Sequence, residues 1–138
     1  MRLYLDTNIL VYMLLYKDEL QGDVARILYN FENTLLTSSV CAAEMVHLCQ
    51  IGKIGSKKSP VHPADILSRV RASGIEVQPL TERHITTLAA LPLYDDHRDP
   101  NDRLIIAQAM ADRIPLVSSD RKFARYVRHG LDFIFNER

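Results

Sequence analysis

The chain reads as an α/β protein, a three-layer α/β/α arrangement with a central parallel sheet of about four to five strands. Two observations predict this. Short apolar runs of strand length alternate with longer segments whose apolar residues recur at helical spacing, the pattern of a parallel sheet covered by helices on both faces. Two of the short runs also end in the same way, in an acid with small polar residues, at Leu5-Asp6-Thr7-Asn8 and at Val117-Ser118-Ser119-Asp120. In open parallel sheets the carboxyl ends of the strands are the ligand-binding edge.

The first strand is Arg2 to Leu5, and Asp6 stands at its end. Taken alone, Asp6 can be a cap for the helix that follows, because Asp, Thr and Asn all cap well. Ile9 to Leu15 is apolar almost throughout and suits a buried helix, and Asp23 to Phe31 places Val24, Ile27, Leu28 and Phe31 on one face of a second. Thr34 to Thr37 gives a short second strand, with Ser38 and Ser39 placed to cap the next helix.

That helix, Val40 to Ile51, is apolar nearly all round and therefore expected to be buried. Glu44 has Val40 and Cys41 a turn behind it and Leu48 a turn ahead, a face that does not tolerate an unpaired charge. It is read as a site residue, with a solvated glutamate or a buried ion pair as the other options; His47, close to the same face, is read as structural. Cys41 and Cys49 lie about 12 Å apart along this helix, too far to bridge, and read as small buried residues.

Gly52 to Pro63 has the glycine, serine, proline and lysine content of an exposed connector, in which Lys53, Lys57 and Lys58 could contact phosphates. Pro63 suits the start of a helix that runs to Ser73 and stops at Gly74, and Ile75 to Val77 is a third strand. Thr81 can cap a helix carrying Ile85, Leu88, Ala89 and Leu91.

Leu93 to Asn101 turns polar and acidic, and a strongly apolar helix from Asp102 to Ile114 follows. Asp99 reads as its N-cap and Pro100 as its first residue. Asp102 suits the helix dipole, but it lies one turn before Ile105 and Ile106 and so points with the buried face. Pro115 to Val117 is a fourth strand. Asp120 beyond it can be a cap for the helix Arg121 to Arg128 or a site acid. Gly130 ends that helix, and Leu131 to Phe135 is a last strand.

Composition removes several classes of function. Hydrophobic residues make up 47% and charged residues 25%, ordinary for a globular protein, and 138 residues suit one domain spanning 1–138. No apolar run approaches the roughly 20 residues needed to span a bilayer, and the N-terminus does not read as a secretory signal, so a cytoplasmic location is expected. The 17 basic and 17 acidic residues give a formal net charge of +0, so any basic surface must be local. The most basic stretch, Arg121, Lys122, Arg125 and Arg128, lies beside Asp120. A glycine-rich phosphate loop, a Gly-x-Ser-x-Gly elbow and zinc-spaced Cys or His pairs are all missing.

Together, the strand-end acids Asp6 and Asp120 and the helical acids Glu44 and Asp102 converge on one sheet edge. Four packed carboxylates repel, and a hard divalent cation such as Mg²⁺ or Mn²⁺ relieves the repulsion. Such a cation activates water and polarises phosphoryl oxygens, so metal-dependent phosphodiester hydrolysis is the reaction class that fits.

At these positions the sequence resembles a known family. Leu5-Asp6-Thr7-Asn8, the lone Glu44 on its apolar helix, Asp99-Pro100-Asn101-Asp102-Arg103-Leu104-Ile105-Ile106-Ala107-Gln108-Ala109 and Ser118-Ser119-Asp120-Arg121-Lys122-Phe123 look like the PIN domain, particularly the VapC-type toxins of bacterial toxin–antitoxin pairs. The resemblance implies a Mg²⁺-dependent endoribonuclease whose metal-binding acids are Asp6, Glu44, Asp102 and Asp120. Ser118 would hydrogen-bond within the acidic cluster and Asn8 would support it. The resemblance further implies a homodimer, an RNA substrate such as transfer RNA, and inhibition by a small VapB-like antitoxin. Asn101 departs from the family, which often carries an aromatic there, and the connector from Gly52 to Pro63 is longer than usual. A haloacid-dehalogenase-like phosphatase, with Asp6 as nucleophile, would place a second Asp where this chain has Asn8. A catalytically silent, partner-binding PIN domain is the non-enzymatic alternative.

Overall fold

The computed structural model describes residues 1–138. At its centre lies β1 (Arg2–Leu5), buried from Leu3 onward. It pairs in parallel with β2 (Thr34–Ser38) on one side and β4 (Leu116–Ser118) on the other. Outside these run β3 (Ile75–Gln78) and β5 (Phe133–Phe135), also parallel, giving the order β3-β2-β1-β4-β5. Five parallel strands match the expected sheet.

The strand order decides where the helices go. Steps from β1 to β2 to β3 move in one direction, and the step from β3 to β4 reverses across the sheet. Right-handed crossovers therefore put α1 (Thr7–Leu15), α2 (Gly22–Leu28), α3 (Ser39–Gln50) and α4 (Ile66–Ala72) on one face. They put α5 (Glu82–Ala90), α6 (Pro100–Asp112) and a 3₁₀ helix at Arg121–His129 on the other. The reversal opens a crevice between the carboxyl ends of β1 and β4, where such folds take ligands. Leu3, Leu5, Ile9, Leu36, Met45, Ile106, Leu116 and Phe123 belong to one contiguous buried core beneath it.

Three boundaries differ from the periodicity. The second helix stops at Leu28 rather than Phe31. The Asn33 amide donates to the Ile27 carbonyl at 2.8 Å and the Glu32 N–H donates to Asn30 Oδ1 at 3.0 Å, which closes a turn and leaves Phe31 103% exposed. The segment after Pro63 opens as a 3₁₀ turn, Pro63–Asp65, before α4 begins. The last strand is confined to Phe133–Phe135. Helix α6 ends as Arg113 enters the left-handed region at φ 56°, a place where glycine is the usual choice. No helix is long and apolar enough to cross a membrane.

Candidate metal centre

Each acid is delivered to the crevice by a helix start or a helix face. Asp6 follows β1 and caps α1, its Oδ1 accepting the Ile9 N–H at 2.9 Å, and it is buried. Capping and clustering are thus one arrangement, not alternatives. Burial lifts its carboxyl to about 6; the Ser118 hydroxyl and the Ile9 N–H oppose this, while the charges of Asp120 and Glu44 add to it.

Asp99 caps α6, accepting the N–H groups of Asn101 at 2.8 Å and Asp102 at 3.2 Å. That fixes the first turn and turns half-buried Asp102 inward. Its carboxyl is raised to about 7, first by burial and then by the charges of Asp99, Asp6, Asp120 and Glu44. Asp120 follows β4 and caps the 3₁₀ helix by accepting the Lys122 N–H at 2.9 Å, while its own N–H donates to Ser118 Oγ at 3.0 Å. Ser118 is fully buried between the two strand-end acids.

Glu44 lies on α3 and accepts a hydrogen bond from Asn101 Nδ2 at 3.1 Å, so the amide at the departing position holds one of the acids. All four predicted acids thus face one another closely enough for their charges to raise Asp6 and Asp102. Asn8 is exposed on the first turn of α1 and makes no side-chain hydrogen bond.

The structure adds a residue that sequence reasoning missed. His97 lies in the acidic stretch, in a turn closed by its N–H on the Tyr94 carbonyl at 3.1 Å, and is buried. Its Nδ1 lies 2.7 Å from the Tyr126 hydroxyl and its Nε2 lies 3.4 Å from Asp102 Oδ2. One ligand atom each from His97, Asp102 and Asp120 falls within a 4.8 Å span. The loop is clipped down by Asp96, which pairs with Arg125 and whose carbonyl accepts from Lys122 Nζ at 2.8 Å. The Arg125 hydrogen bond holds the Asp96 carboxyl down at about 2. A histidine set between Asp96 and Asp99, just upstream of an acid on a buried face, was the available signal.

Buried carboxylates raised by desolvation and mutual repulsion, with an imidazole nitrogen beside them, form a donor set of oxygen with one nitrogen that fits a divalent cation.

Residues 3–128 match the family model described as the PIN domain. No curated protein matches the chain significantly. Among solved structures, VapBC2 from Rickettsia felis bound to a DNA fragment from their promoter is similar at 22% identity, with 99% of this chain and 100% of that chain covered and a TM-score of 0.69. VapBC-1 from nontypeable Haemophilus influenzae and DNA-bound VapBC from Salmonella typhimurium are each similar at 17% identity, with 98% of both chains covered and a TM-score of 0.66.

Proposed function

Since the chain belongs to the PIN-domain family, we propose that it is a Mg²⁺- or Mn²⁺-dependent endoribonuclease, acting in the cytoplasm as the toxin of a VapBC-like pair. The observation that carries this is the convergence of Asp6, Glu44, Asp102 and Asp120 at the carboxyl ends of β1 and β4, with Asp6 lifted to about 6 and Asp102 to about 7. Residues 1–138 act as a single PIN-like unit in this reading. The fold likeness to VapBC structures supports a VapB-like antitoxin as partner, and a homodimer goes with that reading.

In the proposed site Asp6, Glu44 and Asp102 hold one cation, and Asp120 completes the set or binds a second. A bound divalent cation supplies Lewis acidity that activates water and offsets charge on the phosphoryl oxygens. Ser118 keeps Asp6 and Asp120 aimed inward, Asn101 keeps Glu44 there, and Asn8 lines the rim. Around the crevice Arg121 pairs with Glu137 and Arg125 with Asp96. The connector lysines Lys53, Lys57 and Lys58, together with Arg128, are the groups offered to phosphates of the RNA, transfer RNA among the candidates. Cleavage therefore weakens as salt rises.

The test is cleavage of a total-RNA pool by the antitoxin-free protein, with EDTA, with Mg²⁺ or Mn²⁺, and with folded Asp6→Asn as control. Cleavage that needs the cation and disappears in the variant is expected. Folded protein that binds the cation and cuts no RNA would overturn the ribonuclease reading.

A further inference from the structure

Two histidines are buried in this fold, and they differ in one respect. His84, 3% exposed, has both ring nitrogens matched: Nδ1 accepts the Thr81 N–H at 3.0 Å and Nε2 meets Asp112 Oδ1 at 2.9 Å. That is how a histidine with a purely structural role is satisfied. His97, 4% exposed, has its Nδ1 engaged by Tyr126, but its buried Nε2 has no hydrogen-bond partner. A buried polar atom left in that state is costly, and a bound ligand removes the cost.

The ring is not free to turn away. Phe123 meets it edge-on at 5.6 Å between centroids and Tyr126 packs against it at 5.5 Å. Its unmatched nitrogen is thereby held toward Asp102 and Asp120, whose carboxylates have no Lys or Arg paired with them.

We propose that His97 Nε2, together with Asp102 and Asp120, forms a second divalent-cation position beside the one centred on Asp6 and Glu44, with an affinity for nitrogen-accepting ions such as Mn²⁺. This rests on the divalent-cation reading above. An octahedral ion with ligands about 2.1 Å away sets neighbouring ligands about 3 Å apart and opposite ones about 4.2 Å apart. The 4.8 Å span closes to that with a shift of about half an ångström in half-buried carboxylates. Ligation requires a bare Nε2, so the proton sits on Nδ1 and is donated to the Tyr126 oxygen; fixing the second ring nitrogen on an oxygen acceptor is the common pattern for metal-bound imidazole. The two positions share Asp102. On its other side Glu44 is tied to Asn101 and Asp6 to the Ile9 N–H, which separates an all-oxygen half from a nitrogen-containing half. Imidazole favours transition-metal ions, whereas Mg²⁺ favours oxygen.

The experiment is Mn²⁺ titration followed by pulsed electron paramagnetic resonance of the loaded full chain. The expected spectrum shows nitrogen coupling from a directly bound imidazole, which changes to the ¹⁵N pattern in protein made with ¹⁵N-histidine. It disappears in His97→Gln and persists in His47→Gln. Mn²⁺ affinity falls about tenfold or more in His97→Gln, with a smaller change for Mg²⁺. Wild-type protein that binds Mn²⁺ without nitrogen coupling would overturn the proposal and leave the acid-bound cation in place. Protein that binds no Mn²⁺ at all would overturn both. If His97→Gln does not fold, the wild-type ¹⁵N-histidine spectrum with the His47→Gln control decides the matter: coupling kept in that control supports the position, and coupling lost there overturns it.

Discussion

Asp6 serves two purposes that pull against each other: it caps α1 through the Ile9 N–H and it contributes charge to a crowded acidic crevice. With its carboxyl displaced from 3.8 to about 6, the ionised form costs on the order of 3 kcal/mol. Asp6→Asn retains an oxygen for the cap and loses the charge. The metal-free variant should therefore be more stable than wild type by about 2 kcal/mol at pH 8 in urea, while Mg²⁺ binding at the position centred on Asp6 and Glu44, read in a calorimeter, is lost. Asn101→Ala frees the Glu44 carboxylate, and Mg²⁺ affinity should fall by about tenfold, as for other groups that orient a ligand. A variant with unchanged affinity would mean that the amide merely fills space. The four acids were legible because each follows an apolar run or carries a charge onto a face that has no use for one. His97 was not, because its meaning lies in an unmatched nitrogen, and a sequence does not show which of two ring nitrogens finds a partner.

Helices and strands were legible where apolar spacing is long and the punctuation strong. Helix α6, with Asp99 as cap and Pro100 as first residue, lies where its sequence puts it. The α2 boundary failed because Phe31 continues the helical spacing while Asn30 and Asn33 divert the backbone through their side chains. Arg121–His129 keeps helical spacing too but winds as a 3₁₀ helix, since Asp120 starts it from a strand end and Phe123 and Tyr126 must both reach the core. At the far end of α6, Arg113 holds a left-handed conformation without being glycine. Arg113→Gly should stabilise the protein by about 0.5–1 kcal/mol, read as a higher denaturation midpoint with cleavage unaltered. A loss of stability would show that the arginine side chain contributes more than its backbone conformation costs.

Taken over the whole molecule, two groups of carboxylates respond oppositely to acid. Asp6 and Asp102 have folded values above their ordinary 3.8, so the folded state binds their protons more tightly than the unfolded chain. Stability without metal therefore declines as pH rises from about 4 to about 7, by more than the roughly 3 kcal/mol of Asp6 alone, because Asp102 adds to it. Asp112 goes the other way: burial pushes it up, but hydrogen bonds from Tyr4 and His84 and the charge of Arg83 outweigh that and leave it lowered. Its contribution is present above about pH 4 and is lost in stronger acid. Melting curves of EDTA-treated protein should accordingly peak near about pH 4–5. Excess Mg²⁺ at about one hundred times its dissociation constant should return about 2.7 kcal/mol at pH 8. A metal-free melting temperature that rises steadily from pH 4 to pH 8 would contradict the raised values. The sheet order has a further consequence at this scale. Its central strand, β1, comes before β2 and β3 in the sequence, yet β4, its partner on one side, follows both. On a translating ribosome, Asp6 waits for Asp102 and Asp120 to emerge before the crevice exists. If the chain cuts RNA as proposed, the growing polypeptide has no assembled site until that point, which leaves an interval for an inhibitor to be at hand.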